Sequence, residues 1–216
     1  MTSGACTGTG RAERGARMVG VTSTSEHEDR DERVFMHGVS WEAYESLLAA
    51  RGERARPRIA YLDGELELMS PSPGHELMKK RIAPLLEFYC VDRGIELSGY
   101  GSWTIRRRLK QAGVEPDECY IFGRDTPEQK GRPDLAIEVT WTSGGIEKLE
   151  IYRRLGVPEV WFWEDDAIAI YALDGVSYVQ REASAFVPGL ELALVCRLAH
   201  CETLNDAIAG LRAALG

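Results

Sequence analysis

The sequence predicts an α/β (α+β) fold in which a mixed central β-sheet is flanked by helices. Stretches with helical periodicity alternate along the chain with short stretches of strand-like alternation, a pattern typical of a sheet with helices packed on it. The 216 residues are 44% hydrophobic and 28% charged, an ordinary composition for a globular protein. Because a domain averages about 150 residues, we expect residues 34–216 to form a single domain.

Residues 1–33 are predicted to form a disordered N-terminal tail. Small and polar residues dominate its first part, and charged residues fill most of positions 26–33. A segment so poor in apolar residues cannot bury enough surface to offset the entropy lost on ordering. Because the charges at its end nearly cancel, a solvated tail is favoured over a DNA-binding arm.

A helix and a β-hairpin are predicted next. Ser40 is a good N-cap, and an apolar stripe follows it up to Gly52, where the helix should end. Residues 59–62 and 65–69 have strand patterns, and the Asp63-Gly64 pair between them is a strong hairpin sequence.

A long helix is predicted over residues 75–93, where Pro84 indicates a kink or a later start. The strand that we predict at residues 103–110 has a basic face that includes Arg106 and Arg108. Ile105 and Leu109 share its other face. The remaining predicted elements are strands at 95–97, 119–122, 133–140, 160–163, 168–171 and 176–179, and helices at 146–155 and 203–215.

Charge and cysteine content disfavour several classes of protein. The net charge is −8, unlike that of a protein held to nucleic acid by a basic surface alone. The five cysteines form no Cys-x-x-Cys pair, and the spacing of Cys196, His200 and Cys201 matches no standard zinc site. No apolar run is long enough to cross a membrane and no secretion signal is visible. We therefore expect a cytoplasmic protein with reduced thiols.

Three carboxylates lie among apolar strand residues: Asp117, Asp134 and Glu138. Buried charge needs compensation, and either arginine partners, exposure of a polar strand face or a hard cation could supply it. Asp134 and Glu138 are about 13 Å apart along one strand, too far to share one ion easily. If the preceding strand pairs antiparallel, Asp117 lies across from Glu138. We therefore expect Asp117 and Glu138 to be the metal pair, and Asp134 to support them.

Several short motifs lie along the chain. They are Gly64-Glu65-Leu66, Met69-Ser70-Pro71, His75, Glu115-Pro116-Asp117, Arg132-Pro133-Asp134 through Glu138-Val139, Lys148, Tyr152, Gly156-Val157-Pro158-Glu159-Val160-Trp161 and Pro188-Gly189-Leu190. In combination they resemble the Uma-two restriction endonuclease family of the PD-(D/E)XK nuclease-like superfamily. The resemblance covers about residues 35–198 and implies a restriction-endonuclease-like core and Mg²⁺-dependent (or Mn²⁺-dependent) hydrolysis of DNA phosphodiester bonds.

The resemblance implies roles for four residues. Asp117 matches the aspartate of the superfamily's PD motif, and Glu138 matches its second acidic residue. The lysine expected two residues after Glu138 is replaced by Thr140, and Lys148 on the next helix is the matching candidate. Glu65 resembles the glutamate that the first hairpin contributes. Residues 140–145 depart from the family's Ser-Pro-Ser turn.

In such a site, a cation on Asp117 and Glu138 would bind a phosphate oxygen and lower the pKa of a water molecule. Lys148 would orient that water or stabilise transition-state charge, and Glu65 would complete the metal shell or hold a metal-bound water. His75 either only begins the long helix or contacts phosphate. Because DNA contact requires positive charge, the candidate DNA-binding residues are Lys79, Lys80, Arg106 and Arg108.

Two other functions stay open from the sequence. A nuclease-like fold could act as a catalytically silent binding or regulatory module, which the missing in-strand lysine favours. A metal-dependent phosphoesterase acting on a small nucleotide is a weaker alternative. A double-strand break requires two active sites, so the nuclease interpretation also predicts a homodimer.

Overall fold

A computed structural model describes residues 29–139 and 146–216. Its strands are Glu32–Met36 (β1), Arg58–Leu62 (β2), Glu65–Ser70 (β3), Leu97–Gly99 (β4), Ile105–Arg107 (β5), Ala112–Val114 (β6), Glu118–Phe122 (β7), Leu135–Val139 (β8), Glu159–Glu164 (β9), Ala167–Asp174 (β10) and Ser177–Arg181 (β11). Its helices are Trp41–Arg51 (α1), Pro73–Arg93 (α2), Pro127–Lys130 (α3), Lys148–Leu155 (α4), Leu192–Ala199 (α5) and Leu204–Leu215 (α6).

The strands form two sheets. The five-stranded sheet has the order β1-β3-β2-β6-β5 and is antiparallel. The six-stranded sheet has the order β11-β10-β9-β8-β7-β4, and its strands β8 and β9 are parallel while the other pairs are antiparallel. The predicted fold class, a mixed sheet flanked by helices, is therefore confirmed. The second sheet is an addition that the sequence pattern does not reveal.

Helix α4 lies between the two sheets. Parallel strands need a crossover connection, and α4 provides it between β8 and β9. Its buried side chains pack against residues from both sheets, namely Ala60, Ala112 and Val114 on one side and Ala136 and Val160 on the other. The crossover helix thus places its first residues at the carboxyl end of β8.

The outer faces of the sheets are covered by the remaining long helices. Helix α1 packs on the five-stranded sheet through an aromatic cluster of Trp41, Tyr44 and Tyr61. A Cβ atom at Gly113 would lie 2.2 Å from the Tyr44 hydroxyl oxygen, so this cluster requires glycine there. Helices α2, α5 and α6 cover the six-stranded sheet around Leu86, Ile137 and Trp161, among others.

Local sequence features act as predicted at several boundaries. The Ser40 hydroxyl oxygen accepts a hydrogen bond from the Ala43 amide at 3.2 Å, and Gly52 ends α1 with φ +62°. The Asp63-Gly64 turn joins β2 to β3. Helix α2 starts at Pro73, two residues before its predicted start, and passes through Pro84 without a break. No helix within 29–139 or 146–216 is long and apolar enough to span a bilayer.

Two boundaries differ from the predictions. Residues 29–33, assigned to the tail, are part of the folded structure, and β1 starts at Glu32 because it pairs with β3; residues 1–28 lie outside the described residues. The prediction of a strand over residues 103–110 is wrong in its second half, because β5 ends at Arg107 and Arg108–Lys110 form a 3₁₀ turn. Arg106 and Arg108 therefore do not share a strand face.

Candidate active site

The β7–β8 hairpin brings Asp117 and Glu138 to the same end of the six-stranded sheet. The two strands are antiparallel, with Glu118 opposite Ile137, so Asp117 and Glu138 are the next pair in register. The Val139 amide donates to Asp117 Oδ2 at 2.6 Å, which closes this end of the hairpin. The predicted antiparallel pairing is confirmed, although Asp117 lies directly before β7 rather than within it.

Glu138 is held by two side chains from α4. Lys148 Nζ donates to Glu138 Oε2 at 2.6 Å, and the Tyr152 hydroxyl donates to Oε1. Lys148 and Tyr152 are four residues apart, so they share one helix face. Burial, followed by the negative charge of Glu138, raises the pKa of Tyr152 well above its usual value. Tyr152 therefore stays a proton donor to Glu138 at any pH near neutral.

Asp117 lies in a separate buried cluster of charges. Its Oδ1 faces the Nε2 atom of His75 at 2.9 Å and also pairs with the Arg58 guanidinium. The other ring nitrogen of His75 lies 3.0 Å from Asp31 Oδ2. The side chains of Asp31, His75 and Asp117 have no exposed surface. Because a buried carboxylate is costly unless it is paired, Arg58 and His75 explain how Asp117 tolerates its position.

His75 connects this cluster to the first turn of α2. Its two ring nitrogens face two different carboxylates, Nδ1 that of Asp31 and Nε2 that of Asp117. Burial acts to raise the pKa of Asp31, but hydrogen bonds from His75 and the Ser72 amide outweigh it, so this pKa is lowered. His75 is both a helix-start residue and a direct partner of Asp117.

A cleft of about 660 Å³ opens beside Lys148. Its floor is the face of β9 and β10 that carries Phe162 and Tyr171, and Phe162 is the neighbour of Glu138 in the parallel register. Lys148 and Glu67 are among the polar residues of its wall. The cleft therefore gives a ligand access to the lysine that contacts Glu138.

The structure does not bring Glu65 into contact with Lys148 or Glu138, and it places Glu67 beside the cleft instead. The Glu65 side chain is 52% exposed and contacts His37. Glu67, two residues along the same strand, is buried, and its Oε2 accepts a hydrogen bond from the Ile146 amide at 3.2 Å. Sequence reasoning passed over Glu67, although its position on the same strand face as Glu65 could have indicated it.

The other predicted residues are dispersed. Asp134 accepts a hydrogen bond from the Phe122 amide at 2.8 Å and pairs with Lys130, so it supports the opposite end of β8. Lys79 is mostly buried beside Glu76, and burial lowers its pKa. Lys80 is 65% exposed. Arg106 and Arg108 lie elsewhere, on the β5–β6 hairpin, where Arg108 pairs with Glu42.

The donor chemistry fits a hard divalent cation. Carboxylate oxygens are the ligands that Mg²⁺ prefers, usually one or two of them together with water and phosphate oxygens. Glu138 has two hydrogen-bond donors for about four lone pairs, so it keeps acceptor capacity. Within the described parts of the chain, no three or more His, Cys, Asp or Glu residues are arranged to hold a metal. Asp117, in contrast, is already contacted by Arg58, His75 and the Val139 amide, so Glu138 is the carboxylate of this pair with more free acceptor capacity.

Comparisons with known proteins identify the family. No curated protein matches the sequence. A solved structure described as a "putative nuclease belonging to DUF820 from Anabaena variabilis ATCC 29413" is similar at 13% identity and a TM-score of 0.47, covering 76% of this chain and 96% of that one. A family model described as "Putative restriction endonuclease" (Uma2) matches residues 41–199. Since the match extends from the first residue of α1 to the last residue of α5, the chain belongs to the Uma2 family.

Proposed function

We propose that this protein is a Mg²⁺-dependent endonuclease that hydrolyses DNA phosphodiester bonds beside Glu138 and Lys148. The observation that carries the proposal is the 2.6 Å contact of Lys148 Nζ with Glu138, across the hairpin end from Asp117. Two carboxylates and a lysine are the residue types that the superfamily uses, and α4 supplies the lysine that the strand lacks. Membership of the Uma2 family supports the same activity.

Each residue has a distinct part in this mechanism. Asp117 and Glu138 would hold Mg²⁺, which supplies charge neutralisation at the phosphate and a more acidic water molecule. Lys148 lines the cleft and bears positive charge, so it would stabilise the negative charge that develops on the phosphate oxygens. Tyr152 holds the Glu138 carboxylate in place through its hydroxyl group. Glu67 fixes the Ile146 amide and with it the start of α4.

Plasmid nicking tests this proposal. Purified protein would be incubated with supercoiled DNA and Mg²⁺, Mn²⁺ or EDTA, and nicked circles would be read on a gel. We expect metal-dependent nicking by the wild type and none by Glu138→Ala, with Glu65→Ala as the matched control. Nicking that persists in Glu138→Ala, or that continues in EDTA, would contradict the assignment of the site.

A second candidate is a catalytically silent nuclease-like module that binds its target without cutting it. The contacts that Asp117 already makes favour this function, because Arg58, His75 and the Val139 amide occupy most of its acceptor positions. Calorimetric titration with Mg²⁺ separates the two functions. DNA binding without metal binding and without nicking would support the silent module.

The nuclease proposal also carries an oligomeric expectation. Cutting both strands of a duplex requires two active sites, so we propose that the protein acts as a homodimer when it makes double-strand breaks. Light scattering coupled to size-exclusion chromatography would give its mass against the 24.0 kDa of one chain. A monomer that only nicks would contradict the homodimer while leaving the endonuclease proposal standing.

A further inference from the structure

The β5–β6 hairpin carries four basic residues, two in strand β5 and two in the turn at its tip, together with one exposed leucine. Arg106, Arg107, Arg108 and Lys110 lie within five consecutive residues of a chain whose net charge is −8. Between them, Leu109 is 99% exposed, the largest exposed fraction among the large apolar side chains described. Arg108 pairs with Glu42 of α1, so Arg106, Arg107 and Lys110 are the charges that would attract an anionic partner.

The exposure of Leu109 follows from the 3₁₀ turn. Strand alternation would place Leu109 on the same face as Ile105, which is 3% exposed. Because the strand ends at Arg107 and the next three residues form a turn, the leucine leaves the core face and enters solvent. Leu109 therefore contributes no packing to the hydrophobic core.

The tip is nevertheless held rigidly. The backbone amide and the side-chain amide of Gln111 both donate to the Arg108 carbonyl, at 3.0 and 2.8 Å. The Asp63 amide donates to the Gln111 carbonyl at 3.0 Å, and Arg154 donates to the Lys110 carbonyl at 3.1 Å. These four bonds fix the backbone of the turn on both sides of Leu109, so little backbone entropy is lost when a partner engages it.

The tip also lies within reach of a duplex bound at the candidate active site. Arg154, which contacts the tip, follows Lys148 by six residues on α4, a separation of about 9 Å at the rise of an α-helix. A DNA duplex rises about 3.4 Å per base pair, so this axial separation corresponds to about three base pairs.

We propose that the β5–β6 hairpin docks on double-stranded DNA, with its basic residues on phosphates and Leu109 inserted as a wedge between base pairs. This inference rests on the proposed function, because it takes the substrate to be DNA. Apolar wedges flanked by basic residues enter the minor groove, unstack one base step and bend the duplex. A membrane surface is a poorer fit, since interfacial binding requires a larger apolar face than one leucine.

The position of the hairpin has a consequence for the substrate. Pyrimidine–purine steps unstack most easily, so the protein should favour duplexes with such a step at a fixed distance from the cut. The protein should therefore bind deformable duplex DNA in preference to single strands.

The test uses Leu109→Ser with Val176→Ser as its matched control. Val176 is 81% exposed and follows the Asp174-Gly175 turn of another hairpin, but no Lys or Arg lies within four positions of it along the chain. Affinity would be measured in EDTA on a 20-base-pair duplex that carries 2-aminopurine at a central TA step. We expect the wild type and Val176→Ser to raise 2-aminopurine fluorescence, and Leu109→Ser to lose that rise and to bind roughly tenfold more weakly.

Three other results would contradict the proposed wedge, and plasmid nicking shows whether the endonuclease function also fails. Equal fluorescence and affinity for Leu109→Ser and wild type would overturn the wedge, while metal-dependent plasmid nicking by the wild type would show that the proposed function stands. Binding of the wild type to anionic vesicles, lost in Leu109→Ser with duplex affinity unchanged, would assign the tip to a membrane instead. A wild type that neither binds duplex nor nicks plasmid would overturn both the wedge and the endonuclease.

Discussion

Asp117 and Glu138 lie opposite each other at one hairpin end, yet their surroundings differ. Asp117 is enclosed by Arg58, His75 and a backbone amide, in a cluster without solvent contact. Glu138 is held by two side chains of a single helix, one of which lines the cleft. The difference indicates that Asp117 has the greater effect on stability, whereas Glu138 is the carboxylate whose partner a substrate reaches first.

The largest expected effect is on stability, in Asp117→Ala. Removal of this carboxylate breaks the buried Arg58–Asp117 pair and leaves Arg58 with only the partly exposed Glu76, which costs about 3–5 kcal/mol for a broken buried pair. Urea denaturation would measure it. Glu138→Ala should cost less, because the freed Lys148 can turn into the cleft. Equal losses in the two variants would remove the distinction between the two carboxylates.

The next largest effect is on activity, in Lys148→Met. Loss of a charge that stabilises the transition state should lower the nicking rate by about 10²–10³, the size found for oxyanion donors. It should also lower the free energy of unfolding, because the buried Glu138 loses its ion-pair partner. Arg153→Met provides the control, since Arg153 pairs with Glu150 on the same helix. A nicking rate preserved in Lys148→Met would exclude it from the mechanism.

Tyr152→Phe tests whether Glu138 must be held still. The variant deprives Glu138 Oε1 of its donor, which costs about 1–3 kcal/mol for a buried acceptor, and it should also slow nicking about tenfold by that same loss of positioning. Tyr178→Phe removes a similar hydroxyl that donates to the Val157 carbonyl at 2.6 Å. If both variants lost stability and neither lost activity, Tyr152 would be structural only.

Glu67→Gln and Glu65→Gln form a pair on one strand face. Because Glu67 accepts the hydrogen bond of the Ile146 amide, its neutral analogue should weaken the start of α4 and reduce nicking several-fold, a loss of roughly 1 kcal/mol. Glu65, exposed beside His37, should have no effect when changed. A larger loss in Glu65→Gln would restore the role that the family resemblance gives to it.

The smallest expected effect is on the free energy of unfolding at acidic pH. The pKa of Asp31 is lowered in the folded protein by His75 and the Ser72 amide, against burial that raises it. Asp31 therefore contributes stability above its ordinary pKa of 3.8, and this is lost as pH falls from there through the lower folded pKa. Asp31→Asn should flatten the fall in unfolding free energy below pH 4, measured by urea titration; an unchanged slope would refute this linkage.

The sequence could predict those parts of the site that depend on neighbours along the chain. Strand alternation places Asp117 opposite Glu138 only if β7 and β8 are antiparallel, and the family resemblance indicates Lys148. Tyr152 was noted only as part of a motif, because nothing in helical spacing says that its hydroxyl meets Glu138. Whether Glu67 or Glu65 contacts the start of α4 depends on how β3 is placed against that helix. The periodicity of the strand does not contain this information.

By itself the sequence determined the fold class, the cap at Ser40 and the Asp63-Gly64 hairpin. These follow from backbone preferences and short-range spacing, which act before the chain is packed. Only the tertiary structure decided that Asp31 meets His75, 44 residues away, and that Leu109 leaves the core. Such outcomes depend on which distant elements compete for the same space, and no local pattern contains that information.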